Sequence, residues 1–152
     1  MNLSRLGRGE FLAVLGGLLL ALGVFLPWYA TNPDNRNANV DGARGTFNAW
    51  DAHPILHWLL LAAAAAPLIL AWVILRDHEL SWPRGEMTAV VGMIALVLVL
   101  YVGLVDRPGD PSGQISLEFG WFVALLGIAA ITAGGAMRAG GTERPRKPPG
   151  VL

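Results

Sequence analysis

Four long apolar runs alternate with short polar segments along the chain, at residues 11–30, 54–75, 87–105 and 119–137. The first, FLAVLGGLLLALGVFLPWYA, carries no charge over its twenty residues. At ~1.5 Å per helical residue such a run reaches roughly 30 Å, the thickness of a bilayer's hydrocarbon core. The pattern predicts an all-α fold, an integral membrane four-helix transmembrane bundle over residues 1–137. The last segment, 138–152, is basic and rich in Pro and Gly, cannot bury a core, and is expected to be a disordered tail.

Within the runs, small residues mark where helices can approach closely. Ala13, Gly17 and Ala21 recur at a spacing of four on the first run, and Gly120, Ala124 and Gly127 cluster on the last. Pro67 follows five alanines in the second run and predicts a kink there. Pro27 is expected to bend or end the first helix, leaving Trp28 and Tyr29 at the headgroup level where amphipathic rings collect. Residues 31–45 read as turns and irregular chain, and the more apolar 46–50 as a return toward the membrane surface. Asp51 or His53 is expected to cap the second helix. The first run is too long for a signal-peptide core and lacks a small-x-small cleavage site, so it reads as an uncleaved anchor.

Charge then sets the orientation. With the N-terminus inside, the inner segments carry Arg5, Arg8, Arg76, Arg84, Arg138, Arg144, Arg146 and Lys147, and the outer loops carry Arg36, Arg44 and Arg107. Eight basic residues against three place both termini in the cytoplasm, and the expected location is the plasma (inner) membrane of a bacterium. Charged residues make up only 14% of the chain, against about 25% in a soluble domain, and net charge is zero, so no nucleic-acid partner is indicated. The chain has no cysteine, which removes disulfides, thiol redox chemistry and thiolate metal sites.

Candidate chemistry is sparse. None of the four runs contains Asp, Glu, Lys or Arg, which counts against a proton-coupled carrier. His53 and His57 are four apart on one helix face with Asp51 just before them, a weak divalent-metal arrangement; the expectation is no firm metal site and no cofactor. The aromatic residues Trp28, Tyr29, Trp50, Trp58 and Trp121 gather toward the outer side. They read as an interfacial belt or as a docking surface for a partner. Trp72 and Trp82 mark the inner interface by the same logic.

The pieces LPWYA at 26–30, FNAWDA at 47–52, LVDRPG at 104–109 and LEFGWFVAL at 117–125 resemble a pattern found in small, uncharacterised four-span membrane proteins of actinobacteria. The resemblance covers most of residues 10–137 and implies a topology without an activity. A looser likeness to claudin-type proteins rests on four spans and on Trp28 and Trp50 bracketing the first outer loop. The Gly-Leu-Trp and paired cysteines of that family are missing here, so its function does not carry over. The expected function is therefore a non-enzymatic structural or accessory subunit of a membrane complex, in contact with lipid and with a membrane-protein partner or a second copy. One alternative is a small oligomeric channel or carrier, with Thr88, Thr132, His57 and the carbonyl freed by Pro67 as its only polar path. The other is an outer-face metal-binding protein or enzyme built on Asp51, His53 and His57.

Overall fold

The computed structural model describes residues 6–76 and 84–141. Four helices are long and apolar enough to cross a membrane. They are α1 (Arg8–Phe25), α3 (Leu56–Leu75), α4 (Arg84–Leu100, continued by a π-helical turn, Tyr101–Val105) and α5 (Phe119–Gly141). Their outward faces carry Leu18, Leu22, Ile69, Val97 and Leu126, all exposed, while Leu20, Leu60, Val99, Ile128 and Ile131 are buried between them. An apolar exterior of this extent suits hydrocarbon rather than water.

The all-α expectation needs one addition. Between the helix ends at one pole lies a three-stranded antiparallel sheet of order β2-β1-β3, formed by β1 (Pro27–Thr31), β2 (Thr46–Asn48) and β3 (Ile115–Leu117). Tyr29 pairs with Phe47 on one side and with Leu117 on the other. The end of the first apolar run thus supplies β1, and the segment read as a return toward the membrane surface supplies β2 and the start of a one-turn helix, α2 (Ala49–Ala52). Asn48 caps α2 by accepting the Asp51 N–H at 2.8 Å. Neither Asp51 nor His53 caps α3, whose N-cap position is Ile55 with no side-chain cap bond. The loop before β2 is tied to the loop before β3 by reciprocal backbone hydrogen bonds between Asn39 and Asp110, 2.9 and 3.1 Å. Gly109 fits beside Asn39 because it holds a φ of +102° and has no Cβ.

The bundle closes around α5, which packs most extensively on α1 and then on α4. The α1–α5 seam is a glycine register with a seven-residue repeat. Gly9, Gly16 and Gly23 face Gly134, Gly127 and Ala124, with Gly120 against the backbone of Leu26 and Pro27. A Cβ on Gly16 would lie 2.5 Å from the Gly127 carbonyl oxygen, and one on Gly127 would lie 2.7 Å from that of Gly16. Of the expected packing residues, Ala13 meets Gly134, and Gly120, Ala124 and Gly127 all lie in this seam. Gly17 faces α3 instead, where a Cβ would lie 3.0 Å from the ring of Pro67, and Ala21 is half-buried at the core's edge. α3 runs unbroken through Pro67.

Three helices extend past the apolar runs, α4 by beginning at Arg84. α1 begins at Arg8 and α5 continues to Gly141, so the first four residues of the segment read as a tail are helical. The extension brings Glu10 and Arg138 into the bundle, where they form an ion pair. Glu10 also accepts the Gly7 N–H and so caps α1. Trp72 stacks under Arg76 at 4.9 Å, at the pole opposite the sheet. Trp82, Arg5 and residues 142–152 lie outside the described residues.

Candidate functional site

The chain turns from α1 into the sheet because Pro27 has no N–H to give the Gly23 carbonyl. The buried indole N–H of Trp28 donates to that carbonyl instead, at 2.7 Å, and the Leu26 N–H joins it at 3.2 Å. This contact draws Trp28 inward and Tyr29 with it. Both are fully buried, and Trp121 is nearly so. These three expected rim residues are therefore core residues of the polar cap, and only Trp50 and Trp58 remain on its surface, 37% and 60% exposed.

Tyr29 is the joint between the sheet and α4. In an α-helix the Asp106 N–H would bond the Val102 carbonyl; in the π-turn it bonds Tyr101 instead, at 2.9 Å. The released Val102 carbonyl lies 3.2 Å from the Tyr29 hydroxyl, which also lies 2.9 Å from His53 Nε2. A carbonyl only accepts, so the phenol proton goes to Val102 and His53 donates Nε2–H to the Tyr29 oxygen. Burial pushes the Tyr29 pKa up, with a smaller opposing effect from the Arg107 charge. Burial also pulls the His53 pKa below the ordinary imidazole value; the Asp106 carboxylate offsets part of this and His57 adds to it.

Arg107 fastens the same corner from the other side. Its Nε donates to the Gly103 carbonyl at 3.0 Å and its Nη1 to the Ile115 carbonyl at 2.7 Å, so one guanidinium bridges the end of α4 and strand β3. A cation at a helix C-terminus also meets the negative end of the helix dipole. Beside it, the Trp121 indole N–H donates to the Val99 carbonyl at 3.1 Å and the ring lies flush on Gly103. A Cβ at Gly103 would lie 2.5 Å from Trp121 Cε2. Gly103→Ala is expected to displace the indole and cost ~1–3 kcal/mol of stability, seen as a lower melting temperature and a red-shifted tryptophan emission.

The second histidine belongs to an aromatic ridge. Trp50 stacks on His57 at 4.1 Å, lies 5.5 Å from Phe25, and meets the edge of Trp58 at 5.1 Å. Both ring nitrogens of His57 are buried without a hydrogen-bond partner. His53 and His57 thus face different partners, and Asp51 is exposed on α2. Among the described residues, no group of three or more His, Cys, Asp or Glu side chains is placed to hold a metal ion, so the Asp51, His53 and His57 arrangement does not form one. Sequence reasoning missed Arg107 and Val102. The positive-φ Gly109 in the Pro-Gly turn hinted at the loop, but nothing in the local sequence marks the π-turn.

The arrangement is a rigid, hydrogen-bonded cap with an aromatic edge, joined to the membrane helices at Tyr29, Arg107 and Trp121. No family model matches the chain, and no curated protein or solved structure matches it.

Proposed function

We propose that this chain is a non-enzymatic accessory subunit of a bacterial cell-membrane complex, with both termini in the cytoplasm and the sheet outside. The observation that carries this reading is the ridge formed by Phe25, Trp50 and Trp58, three rings in contact through Trp50 that stay exposed while Trp28, Tyr29 and Trp121 are buried and fixed by hydrogen bonds. A preorganised aromatic edge loses little side-chain freedom on docking, and Trp is enriched among the anchors of interfaces. The excess of basic residues on the inner segments supports the orientation.

A photo-crosslinking amino acid at Trp58 tests this in native membranes, with the same group at Ile69 on the lipid-facing side as control. The expected result is one dominant protein adduct from position 58, absent at 69 and weakened by Trp50→Ala. Adducts to lipid alone at both positions would remove the reading. Adducts to a second copy alone would move it to the oligomeric channel or carrier, for which ion and solute flux in liposomes is the next measurement.

A further inference from the structure

An open polar groove of about 620 Å³ runs beside the sheet, lined by Arg107, Glu118, Asn32, Gln114 and Ser116. Its two charged residues stand at the ends of two spans. Arg107 comes two residues after the π-turn that ends α4, and Glu118 immediately precedes α5. With those helices across a bilayer, the groove lies at headgroup level. The same helix ends leave Leu104, Val105, Phe119 and Phe122 exposed, so apolar surface adjoins both charges along the chain. The two charges do not satisfy each other. Among the described residues neither Arg107 nor Glu118 forms an ion pair. Of its five N–H groups, Arg107 gives one to the Gly103 carbonyl and one to the Ile115 carbonyl, which leaves three. The Glu118 carboxylate receives a single contact, from the Ser116 hydroxyl at 3.4 Å. The Gln114 side chain accepts from Asn32 at 2.6 Å and keeps its own NH2 group to donate.

We propose that this groove binds the headgroup of a zwitterionic phospholipid with a primary ammonium, phosphatidylethanolamine, its phosphate at Arg107 and its ammonium at Glu118. A guanidinium held in place with N–H groups to spare suits a phosphate, which it can meet with two parallel hydrogen bonds. The Gln114 amide adds a neutral donor in the same groove. An ammonium brings three donors to a carboxylate whose lone pairs are mostly unfilled. The charges of the lining sum to zero, so a zwitterion balances both. An anionic headgroup would pair with Arg107 and leave Glu118 facing a second negative charge. A choline headgroup has no N–H for Glu118, and among the described residues no aromatic ring lines the groove to hold a quaternary ammonium instead. The acyl chains then follow the apolar ends of α4 and α5 into the bilayer, so one lipid meets the polar and the apolar surface together.

Native mass spectrometry of the full chain reads the selectivity, with equal amounts of phosphatidylethanolamine, phosphatidylglycerol and phosphatidylcholine carrying identical acyl chains. The expected result is a phosphatidylethanolamine adduct about tenfold more abundant than either of the others, the effect of one charge-assisted hydrogen bond. Equal adducts of all three, as lipids bound only through their chains would give, overturn the proposal. So does a dominant phosphatidylglycerol adduct, which would make the groove an anion site. Glu118→Gln keeps the side chain's shape and leaves the backbone bond from residue 118 to the Trp28 carbonyl in place. In that variant the preference for phosphatidylethanolamine is expected to vanish and phosphatidylglycerol to bind best, because Arg107 is left without a compensating charge. A purely structural role for Glu118 would lower all three adducts alike and leave their order unchanged, and that result also overturns the proposal. Glycerophosphoethanolamine, the same headgroup without chains, separates lipid from a soluble ligand. It is expected to give no adduct at the concentration where the lipid saturates, and an equal adduct would assign the groove to a soluble ligand instead.

Discussion

Gly16→Val is expected to separate α1 from α5 and to be the most damaging single substitution in the membrane-spanning part of this protein. The neighbour a valine would meet is not a flexible side chain but the backbone of Gly127 and Ile131, 2.5 and 2.7 Å from the new Cβ. Neither can move without shifting the whole of α5, which also holds α4 through Gly135 against Ala89 and Gly92 against Thr132. Overpacking in a well-packed core costs ~1–3 kcal/mol when side chains can adjust, and more where they cannot. In a bilayer no hydrophobic gain compensates, because helix association rests on close packing itself. The expected result is a loss of ~3 kcal/mol or more, read as failure to recover folded protein or as a large drop in melting temperature in detergent. Gly140→Ala is the control. Nothing lies within 4 Å of its Cβ, so the change is expected to be neutral or slightly stabilising through helix propensity. Equal behaviour of the two variants would show that the glycine register does not hold the bundle.

That register illustrates what the sequence reveals and what it hides. The four apolar runs announce four helices because length and the absence of charge are enough to define a span. The seam itself was within reach, since Gly9, Gly16 and Gly23 repeat at seven as do Gly120, Gly127 and Gly134. A search at a spacing of four picks out Ala13, Gly17 and Ala21 instead, and only one of these faces α5 closely. The four runs are free of charge, but the helices reach beyond them and take in charged residues at their ends. Glu10 and Arg138 each flank an apolar run, and the helices extend to include them.

The cap was less legible for a different reason. β1 is five residues long and follows an apolar helix without a break in hydropathy, so Trp28 and Tyr29 read as the end of a span. What makes them a strand is pairing with Leu117, Ser116 and Ile115, which come from the far end of the chain. β3 is three residues long, too short to carry an alternation signal. The π-turn is equally silent, because its cause is the reach of Tyr29 across from another element. The exposure of Trp50 and Trp58 against the burial of Trp28 and Trp121 follows from that same long-range pairing, and no local rule distinguishes the four.

Tyr29→Phe tests whether the joint between sheet and helix holds the cap as the geometry requires. The substitution leaves the ring in place but removes one oxygen, so the Val102 carbonyl loses its donor and His53 Nε2–H loses its acceptor. Unpartnered buried groups of this kind cost ~1–3 kcal/mol each. The expected loss at neutral pH is therefore ~2–4 kcal/mol, checked by thermal unfolding and by faster hydrogen exchange at the β1 amides. pH gives an independent handle on the same contact. The pKa of folded His53 lies below its unfolded value because burial disfavours the imidazolium, and Tyr29, Arg107, Asp106 and His57 are the titratable or charged groups in play around it. A depressed histidine pKa means that the unfolded cap takes up a proton first as pH falls. Stability contributed by neutral His53 is thus fully present above about pH 6.5 and declines below it, levelling off once pH passes the folded pKa. His53→Gln cannot titrate, and its terminal amide N–H can replace Nε2–H at the Tyr29 oxygen. Its melting temperature is expected to match the native protein at pH 7.5 and to exceed it at pH 5. If the two proteins instead lose stability in parallel between those values, the titrating group is not His53, and the Tyr29–His53 contact is not what couples the sheet to the membrane helices.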